Sequence, residues 1–141
     1  MSQENVEVAR RAWNLWSRGD LDGLLSLCHE DCVFDTAHIR DWPEREYGGH
    51  IGFRRFLSEW LDVWDEFEVE FDELIPAADG RVVSLFRQHG KGRQSGLLMD
   101  VAWAIVTTFR DGRIFWIAVY DDRAAALEAV GLSEQDAHVD L

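Results

Sequence analysis

With 141 residues, 27 of them Asp or Glu against 14 Lys or Arg, the chain has the length of one domain that buries about 68–70% of its unfolded surface, and it carries a formal net charge of −13. That charge repels phosphate backbones and anionic lipid heads, so neither nucleic acid nor a membrane surface is expected as a partner. No apolar run approaches the ~18 residues of a membrane span, and the opening Met1-Ser2-Gln3-Glu4-Asn5 has neither a basic lead nor an apolar core, so a soluble cytoplasmic protein is expected.

A first helix is predicted with Val6, Ala9, Trp13 and Trp16 along its apolar face, ended by Gly19 in a left-handed conformation. Asp20 then caps a shorter helix carrying Leu21, Leu24, Leu25 and Cys28, and Cys32-Val33-Phe34 reads as a short strand that ends at Asp35. From Thr36 to Gly49 the chain is loop-like, with Trp42-Pro43 and Gly48-Gly49 as breakers, and has the character of a lid. The clearest helical pattern follows: Phe53, Phe56, Leu57, Trp60, Leu61 and Trp64 share one face, with Arg54, Arg55, Glu59 and Asp62 off it.

The period then changes from helical to extended, since Phe67, Val69 and Phe71 alternate with Glu68, Glu70 and Asp72. A turn at Pro76 to Gly80, a strand from Arg81 to His89 and a glycine-rich return from Gly90 to Gly96 lead into a long hairpin. Asp111-Gly112 is a dipeptide able to take positive φ at both positions, so a two-residue loop is expected between Leu97–Arg110 and Arg113–Asp121. Asp122 caps a last helix that stops at Gly131. Three helical segments followed by a four-stranded antiparallel meander predict one α+β domain, residues 1–141, with a cone-shaped sheet.

A two-residue loop pairs Arg110 with Arg113 and assigns each side chain of the hairpin to a face. Trp103, Ile105, Trp116 and Tyr120 fall on one side; Val106, Phe115 and Ile117 fall on the other. Both sides are apolar, and helices are expected to cover only the first. The second is therefore expected to meet another copy of the chain, giving a homodimer through the outer sheet face.

Cys28 and Cys32 are the only cysteines. With His29 and His38 they form only a loose set, short of the four ligands at regular spacing that zinc takes, so two buried reduced thiols and no metal are expected.

The order of elements, with Arg18-Gly19-Asp20-Leu21-Asp22-Gly23-Leu24 early and Phe109-Arg110-Asp111-Gly112-Arg113-Ile114 late, resembles the nuclear transport factor 2-like superfamily and, within it, the SnoaL-like branch. Tyr120-Asp121-Asp122 and Ala126-Leu127-Glu128-Ala129-Val130-Gly131-Leu132 extend the resemblance to the end of the chain. It implies an α+β barrel of the cystatin-like kind, a curved antiparallel sheet wrapped around N-terminal helices. It also implies a pocket for a small apolar or aromatic metabolite, where enzymes of the family use a carboxylate, and no cofactor, to move a proton beside a carbonyl. Asp35 matches the general-base aspartate that follows the first strand in the steroid isomerase branch. The partner acid of that branch, also the acid-base aspartate of SnoaL-type cyclases, falls at Ile105, and its oxyanion-binding tyrosine falls near Ala12.

Asp35 is thus the candidate base, with an Asx turn as its alternative role, and His38 or His50 is the candidate proton donor. Trp13, Trp103, Ile105, Trp116 and Tyr120 are the candidate ligand-binding side chains, and Arg87 or His89 a polar group of the same pocket. An isomerase, lyase or cyclase is one expectation; a non-catalytic ligand-binding or dimeric assembly module is the other.

Overall fold

Ala9, Ala12 and Trp13 recur on one face of helix α1 (Ser2–Ser17), and that face is buried in the computed structural model, which describes residues 2–139. Gly19, at φ 74°, reverses the chain, and the Asp20 carboxylate accepts from the Gly23 amide to start α2 (Leu21–Ser26). Strand β1 (Cys28–His38) is much longer than the expected Cys32–Phe34 segment, so Cys28 belongs to the strand and Asp35 lies inside it. Its polar start carries little strand propensity. Pairing holds it extended, antiparallel to β2 (Glu46–Gly48) on one side and parallel to β6 (Arg113–Tyr120) on the other.

Helix α3 (Gly49–Val63) buries Phe53, Phe56 and Leu57. The meander follows as β3 (Trp64–Pro76), β4 (Val82–Gly92), β5 (Leu98–Arg110) and β6, then α4 (Arg123–Ala129), started by Asp122, whose carboxylate accepts from the amides of Ala124 and Ala125. The strands form one curved sheet in the order β2-β1-β6-β5-β4-β3, mixed rather than wholly antiparallel because β1 runs parallel to β6. The α+β architecture is therefore the expected one, with N-terminal helices laid in the concave face.

Two bulges decide which side chains point where. At the hairpin, Asp111 (φ 54°) and Gly112 (φ 75°) form the expected loop, and Arg110 pairs with Arg113 and Phe109 with Ile114. The next pair is Thr108 with Trp116, so Phe115 is an extra residue. Beyond it every side chain of β6 changes face: Ile117 and Val119 join the helix-side core, while Ala118, with Trp116 and Tyr120 packed against it, belongs to the opposite core. The expected cavity positions of Trp116 and Tyr120 are corrected by this one residue.

The second bulge lies between Phe71–Phe86 and Glu73–Leu85 and makes Asp72 the extra residue. Asp72 thereby meets Arg123, the first residue of α4, which is 6% exposed. Arg123 donates to Asp72 at 2.9 Å, to the Phe86 carbonyl at 2.6 Å and to the Trp103 carbonyl at 3.2 Å. Tied down in this way, α4 packs Ala126, Leu127 and Val130 onto Leu85, Ala104 and Val106 of the outer sheet face. That face is not bare, contrary to the expectation that helices cover only one side: Val106 lies beneath α4, and Ile117 is buried on the helix side. Among the described residues, no helix is long and apolar enough to cross a membrane.

Candidate ligand-binding cavity

Inside the cone, α1 contributes Trp13 and Trp16, α3 contributes Phe53, Phe56 and Trp60, and the sheet contributes Phe34, Phe71, Phe86, Trp103, Ile105 and Val119. Ile39, from the loop after β1, completes one side. These walls enclose a cavity of about 60 Å³. A few water molecules fill that volume, so a ring-bearing molecule needs the aromatic walls to shift.

The lining holds one aliphatic polar side chain, Gln88, and no carboxylate, imidazole, amine, guanidinium or thiol. Its alternation explains this: Val82, Ser84, Phe86 and Gln88 take the cone side of β4, whereas Val83 and Leu85 pack outward. Arg87 and His89, expected at the pocket, have the opposite phase. Arg87 pairs with Asp72, and His89 lies between Glu70 and Asp100.

Of the indole N–H groups here, Trp13 donates to the Ser84 hydroxyl at 2.9 Å. Trp103 Nε1 and Gln88 Nε2 are buried and have no protein acceptor, in residues 7% and 2% exposed. Trp64 Nε1 and Thr107 Oγ1 are also buried without partners, but neither residue lines the cavity.

At the rim the expected lid is pinned by a polar chain. Trp42 Nε1 donates to the Tyr47 hydroxyl at 3.0 Å, which donates to Glu59 at 2.7 Å; Arg55 lies 4.5 Å from the Tyr47 ring centre and binds both Glu44 and Glu59. Trp42 packs against Phe56 and Trp60, so this loop is continuous with the cavity wall. Burial, reinforced by the Glu59 carboxylate, pushes the Tyr47 phenol up to about 12. A folded-state value above the unfolded one means that Tyr47 favours folding below pH ~10 and loses that contribution as pH rises towards 12. In an ultraviolet titration, tyrosinate absorbance should lag behind that of the unfolded chain, and Tyr47→Phe should remove much of the lag; identical titrations would contradict the assignment.

The three expected catalytic side chains do not form a cavity site. In β1, Phe34 turns inward onto Phe53 and Phe56, so its neighbour Asp35 faces outward. Asp35 is 9% exposed, accepts from the Ala37 amide at 2.9 Å, the Asx-type bond, and from Trp116 Nε1 at 3.1 Å. His38 stacks on Tyr120 with ring centres 4.1 Å apart; burial and the nearby Asp35 carboxylate raise the Tyr120 phenol. His50, at the start of α3, hydrogen-bonds the Cys28 carbonyl at 3.1 Å. Trp13, Trp103 and Ile105 line the cavity as expected. Cys28 and Cys32 are buried free thiols, and no metal-ligating cluster of three or more side chains occurs among the described residues. The period of α3 points to Trp60, whereas only the β4–β5 register places Phe86 and Gln88 on the lining.

Residues 9–117, which include the curved sheet through Trp116 and most of this lining, match the family model described as a SnoaL-like domain. The chain belongs to the SnoaL-like family. Its fold recurs in TerC, co-crystallised with polyporic acid, at TM-score 0.73 and 22% identity over 90% of this chain and 98% of that one. A nuclear transport factor 2-like protein of unknown function from Burkholderia pseudomallei gives TM-score 0.73 and 19% identity, covering 91% and 98%. A protein from Xanthomonas campestris pv. campestris, named as a candidate polyketide cyclase, gives TM-score 0.67 and 20% identity, covering 84% and 90%. No curated protein matches this SnoaL-like chain in sequence.

Proposed function

We propose that this SnoaL-like protein takes one small, flat, apolar or aromatic molecule into the cone and acts as a binding protein rather than as a cavity acid-base catalyst. The observation that carries the reading is the wall itself: aromatic rings from four strands and two helices, with no titratable side chain among them. The fold neighbours support a ring-bearing ligand, one having been crystallised with polyporic acid and another being named as a candidate polyketide cyclase. Proton transfer needs an acid or base within hydrogen-bond reach of the reacting atom, and Asp35 lies on the other face of the sheet.

Tetralin, a bicyclic hydrocarbon, tests the reading without supplying any polar contact. At ~100 times its dissociation constant it should stabilise the fold by roughly 2.7 kcal/mol, a rise of several degrees in Tm. An unchanged Tm at saturating tetralin and naphthalene would contradict the proposal. Asp35→Ala should leave tetralin affinity unchanged while costing about 1–3 kcal/mol of stability, because Trp116 Nε1 and the Ala37 amide lose their acceptor. A lost affinity with intact stability would return Asp35 to the binding site.

Pairing of two chains through the outer face also belongs to the proposal. Phe115, Trp116 and Tyr120 remain half-buried there, beside the area that α4 covers. Sedimentation equilibrium should give twice the chain mass; a monomer at micromolar concentration would exclude it.

A further inference from the structure

Strand β1 does not run evenly beside β6. Cys28 pairs with Ile114 and Val33 with Trp116, so a longer stretch of β1 is fitted against a shorter stretch of β6. The β6 stretch spans roughly 7 Å, whereas the β1 stretch would span about 17 Å if extended, so β1 bulges out between these pairs and doubles back. His29 Nδ1 accepts from the Asp31 amide at 3.0 Å and closes the turn; the His29 ring packs edge-on against Phe115, the extra residue of β6, with ring centres 5.5 Å apart. His50 fixes the entry to the bulge through the Cys28 carbonyl. Glu30 and Asp31 at its tip are exposed, while Cys28 and Cys32 at its two ends are each 1% exposed and belong to one core cluster.

The bulge thus brings the two cysteines together, where an even strand would hold their Cα atoms about 13 Å apart, beyond the roughly 4–7 Å that a disulfide bridges. The Cys28 S–H is shared between the Leu24 carbonyl, at 3.5 Å, and the Cys32 sulfur. That hydrogen bond holds Cys32 below the ordinary thiol range, and the same bond, with burial, pushes Cys28 above it. One sulfur is therefore the nucleophile and its neighbour the proton-bearing partner, the arrangement of an attacking and a resolving thiol.

From this geometry we propose that Cys28 and Cys32 form a redox site, in which a small hydroperoxide converts the pair to an intrachain disulfide across the bulge. The Cys32 thiolate attacks one peroxide oxygen; the S–O bond forms as O–O breaks, and the departing oxygen takes the proton that Cys32 had lost. Cys28 then attacks the Cys32 sulfur and gives its proton to the leaving hydroxyl, so S–S forms, S–O breaks and water departs. The two thiols are oxidised together and one peroxide is reduced. Burial of both sulfurs restricts the site to an oxidant about the size of water and excludes a bulky disulfide. Neither thiol lines the cavity, so the redox site is independent of the ligand reading.

Hydrogen peroxide and, separately, oxidised glutathione added to the reduced native protein test the proposal, with free thiols counted by maleimide after unfolding and the intact chain weighed. Peroxide should remove both thiols and lower the mass by two hydrogens, dithiothreitol should restore both, and oxidised glutathione should leave them free. Cys28→Ser should stop at a Cys32 sulfenic acid that dimedone captures; Cys32→Ser, which keeps only the protonated thiol, should react about tenfold more slowly. Should the serine variants fail to fold, the wild-type count and mass decide alone. Two thiols that persist in peroxide, sulfinic or sulfonic acid in place of the disulfide, or a bond between two chains would overturn the proposal. A mixed disulfide with glutathione would overturn the restriction to small oxidants.

Discussion

Arg123→Ala is expected to cost about 3–5 kcal/mol of folding stability, the range for breaking a buried ion pair by removing one partner. Arg123 is 6% exposed and binds Asp72 together with the carbonyls of Phe86 and Trp103, so a single guanidinium serves three acceptors on β3, β4 and β5. Alanine leaves Asp72 with only the longer contact from Arg87, at 3.3 Å, and leaves α4 anchored by Ala126, Leu127 and Val130 alone. The effect should exceed that of Arg81→Ala, whose ion pair with Asp79 lies in a turn and is partly solvated. Urea denaturation should show the loss as a lower midpoint with an unchanged slope. A loss below about 1 kcal/mol would mean that the pair is as weak as a surface one.

Trp13→Ala should be of comparable size, about 3–5 kcal/mol for a large buried aromatic. Trp13 is 4% exposed, stacks on Phe71 with ring centres 5.8 Å apart and planes 7° apart, and donates to the buried Ser84 hydroxyl. It joins α1 to the sheet across the cavity, so alanine also opens the wall to solvent. Trp13→Phe keeps a ring against Phe71 but removes the donor and part of the indole's buried volume, which should cost about 1–3 kcal/mol. If the phenylalanine and alanine variants were equally destabilised in urea, the hydrogen bond, and not the packing, would dominate at this position.

Local chemistry made much of the fold legible. The α3 stripe from Phe53 to Trp60, the Asp20 and Asp122 caps, and the Asp111-Gly112 loop all rest on contacts within a few residues, and each occurs in the structure, although Leu61 is exposed and Trp64, expected on the same stripe, already begins β3. Trp13, Trp103 and Ile105 were legible for the same reason, since helical period and distance from a defined turn place them on the cone side. What could not be read depends on pairing between distant segments. Phe115 and Asp72 are bulged because the sheet curves, and nothing adjacent to either residue marks it as extra. One extra residue moved Trp116 and Tyr120 out of the cavity and moved Ile117 and Val119 towards the helices. In β4 the glycine-rich return left the phase open, and the outward phase of Arg87 and His89 conceals Gln88 between them. Asp35, expected at the end of a short strand and at the cavity, lies within β1 and faces away from the cone, because only one of two adjacent strand residues can enter it and the apolar Phe34 does.

The most direct test of the central claim, that the cone interior receives the ligand, is fluorine NMR of the protein with its seven tryptophans labelled, titrated with tetralin. Single Trp→Phe variants assign the resonances. The account predicts that the Trp103 and Trp60 signals move with saturation while Trp116, on the outer face beside Asp35, stays in place. Movement of Trp116 with Trp103 and Trp60 unchanged would contradict it and locate binding on the far side of the sheet.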